Sequence, residues 1–233
     1  GEDASGNICD FATLLYEIAA IEGVQRIRFT TSNPMDFSDD IIRAIHDLPI
    51  ISDQIHVPIQ SGSDRILEKM HRRYTVSEYK TLIHKIREAR PTALISSDFI
   101  VGFPGETEED FRETINVVKD IGFDQSFSFI YSPRPGTPAA LLDDPIDFKT
   151  KQQWLYELQA ELEKCTAAFG QKLIGSEQEV LVEGISRKDQ NELKARASNG
   201  RITVFKGDNS LIGKMVKVKV VGVASHTLKA ELI

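Results

Sequence analysis

The sequence predicts an α/β protein in which parallel β/α units are followed by a small antiparallel β-barrel. Through about residue 145, β-rich runs alternate with amphipathic helices, an order typical of parallel units. Beyond Gly175, five short strands separated by Gly, Asn and Asp turns fill about sixty residues, which favours a small barrel. An apolar stripe at helical spacing joins the two parts, from about Asp147 to Leu173. We therefore expect a domain boundary near residues 170–175.

Each predicted strand of the first part ends in a polar turn that leads to a helix. The runs are RIRFTTS, QIHVPIQ, ALISSDFIV and QSFSFIY, at residues 26–32, 54–60, 93–101 and 125–131. Thr75 and Thr107 each stand three positions before an acidic residue, the pattern of a capping box at a helix start. Four strands suit either a small open sheet or the later part of a larger β/α barrel. Because the chain begins abruptly and without Met, we expect it to be a fragment of the larger barrel.

Composition narrows the class of protein. No signal peptide and no apolar run long enough to span a membrane is visible. Cys9 and Cys165 are far apart, which excludes a disulfide framework or a zinc motif and favours a reducing, cytoplasmic setting. The net charge is −7, yet residues 170–233 hold eleven Lys and Arg against seven Asp and Glu. A basic tail on an acidic body indicates contact with nucleic acid, although an ordinary solvated surface explains the same numbers.

Ligands of parallel β/α proteins bind beyond the carboxyl ends of the strands, where four loops qualify here. They are residues 30–34, 60–63, 102–106 and 132–138, all rich in Ser, Thr, Gly or Pro and without a His or Cys nucleophile. This pattern predicts no catalytic residue in this chain and favours a cradle for a cofactor that brings its own chemistry. Four carboxylates between Glu106 and Asp110 would repel a phosphate at the helix start, so we expect a neutral or cationic ligand. A simple tight turn at residues 102–105 is the alternative.

Two polar residues within the predicted strands invite interpretation. His56 is interpreted as a core histidine, because no partner ligands accompany it in the sequence. A carboxylate at Asp98, next to apolar residues, needs an ion pair or a polar barrel mouth. Arg72, Arg73 and Arg134 are its candidate partners, or partners of a ligand carboxylate.

Three long motifs resemble a known family. HVPIQSGSDRILEKMHRRYT, ISSDFIVGFPGETEEDF and FSFIYSPRPGTPAA, in this order, are similar to the methylthiotransferases of the radical S-adenosylmethionine (SAM) superfamily. The tail resembles the TRAM domain, a small RNA-binding β-barrel. The resemblance implies the latter half of a radical SAM (β/α) partial TIM barrel in residues 1–170, followed by an OB-like TRAM barrel in residues 171–233.

The resemblance also implies an activity. A SAM-derived radical would abstract hydrogen from C2 of an isopentenylated adenosine next to the tRNA anticodon, and a methylthio group would replace it. Two 4Fe–4S clusters are expected in such an enzyme. Because the family's cluster-binding cysteines are absent from this chain, we expect no metal ligands here and no activity of the chain alone. The implied partners are the anticodon stem-loop of tRNA and an electron donor, without a membrane, and the implied state is a monomer.

The resemblance transfers roles to particular positions. The residues implied to contact SAM are Gln60, Ser61, Ser63, Asp98, Ile100, Val101, Gly102 and Arg134. The residues predicted to contact RNA are Arg187, Lys188, Arg196, Arg201, Lys217 and Lys219, of which the last two alternate with valines and so share one strand face. Three alternatives stay open: a methylthiotransferase for threonylcarbamoyladenosine in tRNA, one for a ribosomal protein, or a non-catalytic RNA-binding module.

Overall fold

A computed structural model describes residue 1 and residues 9–31, 33–224 and 226–233. These residues form two compact units, Gly1–Glu161 and Leu162–Ile233. The helices of the first unit are α1 (Phe11–Ala19), α2 (Asp39–Asp47), α3 (Asp64–Lys69), α4 (Val76–Ala89) and α5 (Glu108–Ile121). Its strands are β1 (Gln54–His56), β2 (Leu94–Ser96), β3 (Asp98–Val101) and β4 (Phe127–Ile130). The long helix α6 (Phe148–Lys172) begins in the first unit and ends in the second.

The strands of the first unit are parallel and follow the order of the chain. β1 pairs with β2, and β3 pairs with β4. Parallel bridges Ile27–Ile51, Thr30–His56 and Gln60–Phe99 connect the successive segments. Strand segments connected in chain order, with helices between them, are the arrangement of a β/α barrel wall. The predicted parallel β/α architecture is therefore confirmed.

The predicted strands are more interrupted than the sequence indicated. Residues 26–32 contribute bridges at Ile27 and Thr30 rather than a continuous strand. The run at residues 93–101 is split between β2 and β3 by Ser97, whose hydroxyl accepts from the amide of Ile59 at 2.9 Å. The amide of Ser97 donates to the hydroxyl of Ser126, also at 2.9 Å. The amide of Ser97 thus bonds to a side chain, while its carbonyl still accepts from the amide of Phe127 at 2.9 Å. Hydropathy patterns do not reveal such a substitution.

Thr75 and Thr107 cap their helices as predicted. In both cases the hydroxyl accepts from the amide three residues on, and the acidic side chain there accepts from the amide of the threonine. On the buried face of the sheet, the rings of Phe99 on β3 and Phe123 just after α5 meet edge to face with centroids 5.1 Å apart. The ring of Tyr79 on α4 lies 6.4 Å from that of Phe123. This apolar layer fixes the position of β3, the strand that carries the predicted SAM contacts.

The second unit contains a closed five-stranded barrel. Its strands are β5 (Glu177–Ile185), β6 (Glu192–Ala197), β7 (Ile202–Lys206), β8 (Met215–Ala224) and β9 (Thr227–Leu232), in the order β5-β6-β7-β9-β8. Four neighbouring pairs are antiparallel, while β7 and β9 are parallel. This order is that of an OB-type barrel, so the predicted small OB-like barrel is confirmed. The parallel closing pair is the one departure from the purely antiparallel expectation.

Candidate functional site

The sheet of the first unit has one apolar, covered face and one partly exposed face. On β3, Phe99 and Val101 are fully buried, whereas Asp98 and Ile100 are half-buried. Because side chains alternate along a strand, Asp98 and Ile100 point to the face opposite the helices. We call this the inner face, after the side of a β/α barrel wall that faces away from the helices.

A polar cluster lies on the inner face where β1, β2 and β3 meet. The Nδ1 atom of His56 is 3.0 Å from the hydroxyl of Ser96, and its Nε2 atom is 3.4 Å from Oδ2 of Asp98. The side chains of His56 and Asp98 are 16% and 32% exposed, so both can meet a ligand. His56, which the sequence suggests is a core histidine, is largely buried with a hydrogen-bond partner on β2, and it also lies beside Asp98. The signal that could have linked them is their shared parity on neighbouring strands.

The side chain next to the carboxylate of Asp98 is the imidazole of His56 rather than an arginine. Arg134, a predicted SAM contact and candidate partner of Asp98, is exposed in the loop after β4. There its carbonyl accepts from the amide and the hydroxyl of Thr137, which closes a turn.

Gln60 lies at the carboxyl end of the β1 segment in an uncommon backbone conformation. Its φ is 74°, in the left-handed region that a residue with a side chain adopts at a cost of about 1 kcal/mol. Its amide donates to the carbonyl of Asp98, and its carbonyl accepts from the amide of Ile100, both at 2.9 Å. These two bonds hold the turn against β3, so three residues predicted from the resemblance, Gln60, Asp98 and Ile100, lie together.

Ser61 and Ser63, also predicted SAM contacts, are both fully buried against α5. The hydroxyl of Ser63 donates to Asp110 at 2.6 Å, and that of Ser61 lies 3.4 Å from the hydroxyl of Thr114. A Cβ atom on Gly62 would stand 2.4 Å from Cα of Thr114, so glycine is required here by the close approach of the helix. In this structure these residues anchor the loop to α5, and their hydroxyls do not face the inner side.

The turn at residues 102–106 is closed by its own carboxylate. Oε2 of Glu106 accepts from the amides of Gly102 and Phe103, at 2.5 and 3.1 Å. Burial raises the pKa of Glu106 to about 7, against the lowering effect of these two bonds. Gly102 has φ +70°, and a Cβ atom there would stand 2.5 Å from the side chain of Lys151. The positive φ and the close approach of Lys151 both explain the glycine at position 102 without a ligand. The side chain of Val101, the preceding residue, is fully buried and faces the helices.

The remaining carboxylates at the start of α5 are also engaged. Burial alone would raise the pKa of Asp110, but hydrogen bonds from Arg65, Ser63 and Thr107 hold it below its ordinary value. Glu108 pairs with Arg112 at 2.8 Å. The acidic helix start therefore serves the packing of the loops.

In the barrel, Arg201 is the clearest correction to the predicted RNA-contact residues. Its side chain is 0% exposed, and its guanidinium donates to the carbonyl of Thr166 at 2.8 Å. A side chain without exposed surface does not contact a ligand in this structure. In the sequence, Arg201 is a basic residue between a turn and an alternating strand, and nothing in that pattern predicts that its side chain is buried.

The other predicted RNA contacts differ in their charge environment. Arg187 and Lys188 are exposed in the turn between β5 and β6. Arg196 is half-buried and pairs with Glu183, with Nε 2.5 Å from its carboxylate. Lys217 and Lys219 are exposed on β8, yet their register partners on β5 are Glu179 and Glu177. The face of β8 is thus mixed in charge, and the β5–β6 turn is the more basic surface.

Among the described residues, no group of three or more His, Cys, Asp or Glu side chains could hold a metal ion. The described part of the chain therefore offers no ligand set for an iron–sulfur cluster. For SAM the residues of the inner face do fit, because a half-exposed carboxylate and an apolar side chain stand side by side on β3. Within the same described residues, no helix is long and apolar enough to cross a membrane.

Comparison with known families and structures agrees with this geometry. Residues 9–118 match the family described as the Radical SAM superfamily, and residues 171–233 match the TRAM domain. Coproporphyrinogen III oxidase (HemN) from Escherichia coli, whose structure is described as that of a radical SAM enzyme, superposes with a TM-score of 0.50. That match has 20% sequence identity and covers 60% of this chain and 32% of the other, so it supports the fold alone. The chain is therefore similar to a radical SAM domain over residues 9–118 and to a TRAM domain over residues 171–233.

Closer relatives share one description, tRNA-2-methylthio-N(6)-dimethylallyladenosine synthase. The protein of that name from Buchnera aphidicola is 51% identical over 233 residues, which is all of this chain and 53% of the relative. Those from Vibrio cholerae and Photorhabdus laumondii are 50% and 49% identical, each over all of this chain and 49% of the relative. The chain spans about half the length of these relatives and matches their C-terminal half.

Proposed function

We propose that the chain is the C-terminal part of a tRNA methylthiotransferase, which converts N6-dimethylallyladenosine next to the anticodon to its 2-methylthio derivative. The observation that carries this proposal is the sequence identity, 49–51% over the entire chain, to synthases named for that product. The proposed division is residues 1–170 for the radical SAM part and 171–233 for the TRAM part.

In this proposal SAM, when bound, supplies both the radical chemistry and the methyl group. The chain's own residues bind and orient it on the inner face. Asp98, held by His56, offers a carboxylate that can accept from ribose hydroxyls or from the SAM ammonium group. Ile100 offers an apolar surface to the adenine ring, and Gln60 fixes the turn beside it. Backbone at Val101 and Gly102, and Arg134 in the following loop, border the same region in the proposal.

Ser61 and Ser63 would act indirectly in this site. Their hydrogen bonds to α5 keep the turn that begins at Gln60 against β3. The iron–sulfur clusters of the complete enzyme would be held by residues outside those described here, and no step is assigned to them.

The TRAM part would contact the anticodon stem-loop of tRNA. OB-type barrels bind oligonucleotides on the second and third strands and on the loop between the first and second. In this barrel those elements are β6, β7 and the β5–β6 turn with Arg187 and Lys188, while Arg196 lies on β6. Lys217 and Lys219 would contribute less, because glutamates oppose them. We propose that the enzyme acts as a monomer in the cytoplasm, where tRNA is found, with an external electron donor.

Deletion of the gene tests the function. Nucleoside mass spectrometry of tRNA should show that the 2-methylthio-dimethylallyl nucleoside disappears, while its precursor without sulfur accumulates. Persistence of the 2-methylthio nucleoside would contradict the proposal. Loss of the methylthio group from threonylcarbamoyladenosine, or from a ribosomal protein, would point to one of the alternative substrates instead.

A further inference from the structure

β4 presents two phenylalanine rings to the inner face. Phe127 and Phe129 are 60% and 55% exposed, an unusual degree of exposure for aromatic side chains in successive inward positions of one strand. Their register partners on β3 are Asp98 and Ile100. In a parallel pair, register partners point to the same face, so the two rings extend the surface proposed to bind SAM.

We infer that Phe127 and Phe129 form the apolar subsite that receives the N6-dimethylallyl group of the substrate adenosine, next to the Ile100 surface proposed for SAM. This inference rests on the proposed function and goes further, by assigning the choice of N6 substituent to named residues. The geometry supplies a wall of two exposed phenylalanine rings on the same face as the half-buried Ile100, which is the register partner of Phe129.

The charge beside the wall distinguishes between substituents. The charged residue in register with it is the carboxylate of Asp98, opposite Phe127. A dimethylallyl group is neutral and apolar, and it gains by leaving water for such a surface. A threonylcarbamoyl group carries a carboxylate, which would lose hydration against phenylalanine rings and be repelled by Asp98. The wall therefore favours the prenylated nucleoside over its acidic counterpart.

The nucleosides themselves provide the test. Isothermal titration calorimetry would compare the binding of N6-dimethylallyladenosine, adenosine and N6-threonylcarbamoyladenosine to the 233-residue chain. We expect the dimethylallyl nucleoside to bind about tenfold more tightly than adenosine, and the threonylcarbamoyl nucleoside to bind no better than adenosine. Replacing both residues (Phe127→Ala with Phe129→Ala) should remove this preference.

Two controls separate recognition from folding. The Leu double variant (Phe127→Leu with Phe129→Leu) keeps an apolar wall and should keep most of the preference. Tyr156→Ala removes an aromatic side chain of matched exposure, 61%, on α6 and should leave the preference unchanged. Because all three side chains are exposed, the variants should unfold at the same temperature as the wild type.

Equal or undetectable binding of the nucleosides by the wild type would overturn the inference, as would a preference that survives the double Ala change. A double Ala variant that lost affinity for SAM alone would also overturn it, because the wall would then serve the cofactor. These results are distinct from failure of the proposed function, which the tRNA of the deletion strain reports without reference to either phenylalanine.

Discussion

Asp98 on β3 and Phe127 on β4 are register partners whose side chains lie on the same, partly exposed face of a parallel sheet. A half-buried carboxylate beside an aromatic ring that is 60% exposed adds little to the stability of the sheet, since the ring stays largely in water. With His56 and Ser96 hydrogen-bonded next to them, they form a surface that combines polar acceptors with apolar area. Such a surface suits a ligand that carries both a sugar and a flat heterocycle.

The first prediction concerns Asp110, whose buried carboxylate joins the loop at Ser63 to α5. Asp110→Asn removes the charge that Arg65 and Ser63 stabilise, so we expect a loss of about 2 kcal/mol in the free energy of unfolding. Urea denaturation at neutral pH measures the loss. Asp120→Asn, on the same helix, breaks an exposed pair with Lys80 and should cost no more than about 0.5 kcal/mol. Equal losses in the two variants would contradict this account of the loop.

Asp110 also predicts a response to acid. Its pKa is lowered in the folded state, so its contribution is present above the ordinary pKa of an aspartate. That contribution is lost as the pH falls toward the folded pKa. The difference in unfolding free energy between the wild type and Asp110→Asn should therefore shrink in acid, and a difference that stayed constant down to about pH 2 would argue against it.

Glu106 predicts the opposite dependence on pH. Burial raises its pKa to about 7 from an ordinary value of 4.5, so the folded state binds more protons than the unfolded state between these values. Stability should fall by roughly 3 kcal/mol as the pH rises through this window and should then level off. Glu106→Gln removes the titration, and its stability should change less over the same range. Chemical denaturation at several pH values tests this, with the exposed Glu109→Gln as the control that keeps the slope of the wild type.

We expect that replacing Arg201 lowers the stability of the chain and leaves RNA binding unchanged. The fully buried side chain of Arg201 extends from the barrel to α6, where it donates to the carbonyl of Thr166 and lies beside Gly170. Arg201→Ala leaves a cavity and should lower the free energy of unfolding by about 3 kcal/mol. Hydrogen–deuterium exchange of the full chain should show faster exchange in the peptides of the barrel. Unchanged exchange, together with weaker RNA binding, would restore Arg201 to the RNA-contact set.

We expect that the two basic residues in the turn between β5 and β6 supply the electrostatic part of RNA binding. Reversing both charges, with Arg187→Glu and Lys188→Glu, should weaken binding of an anticodon stem-loop and flatten its salt dependence. Reversing Lys217 and Lys219 changes as much charge on a face where Glu179 and Glu177 lie opposite, and we expect a smaller effect. Filter binding at low and high salt compares the variants. Equal effects of the two reversals would show that the whole barrel surface acts as one basic field.

The sequence predicted the architecture well, because periodicity and turn residues report on local structure. The capping boxes at Thr75 and Thr107 and the five barrel strands were all visible in this way. It did not predict which side chains face each other across strands, since register is set by tertiary packing. Ser63 and His56 show this: the first hydroxyl bonds to Asp110 on α5, and the imidazole meets Asp98 on β3. Arg201 is the third case, because burial of a charged side chain depends on a carbonyl that only the folded barrel brings near.

The most direct test of the central claim returns the complete gene to a strain from which it has been deleted. The claim is that the inner face around Asp98 serves methylthiolation of tRNA. Nucleoside mass spectrometry should show that the wild-type gene restores the 2-methylthio-dimethylallyl nucleoside. We expect that Asp98→Ala does not restore it, and that Asp120→Ala, an exposed aspartate on α5, does. Full restoration by Asp98→Ala, at an equal protein level, would contradict the account.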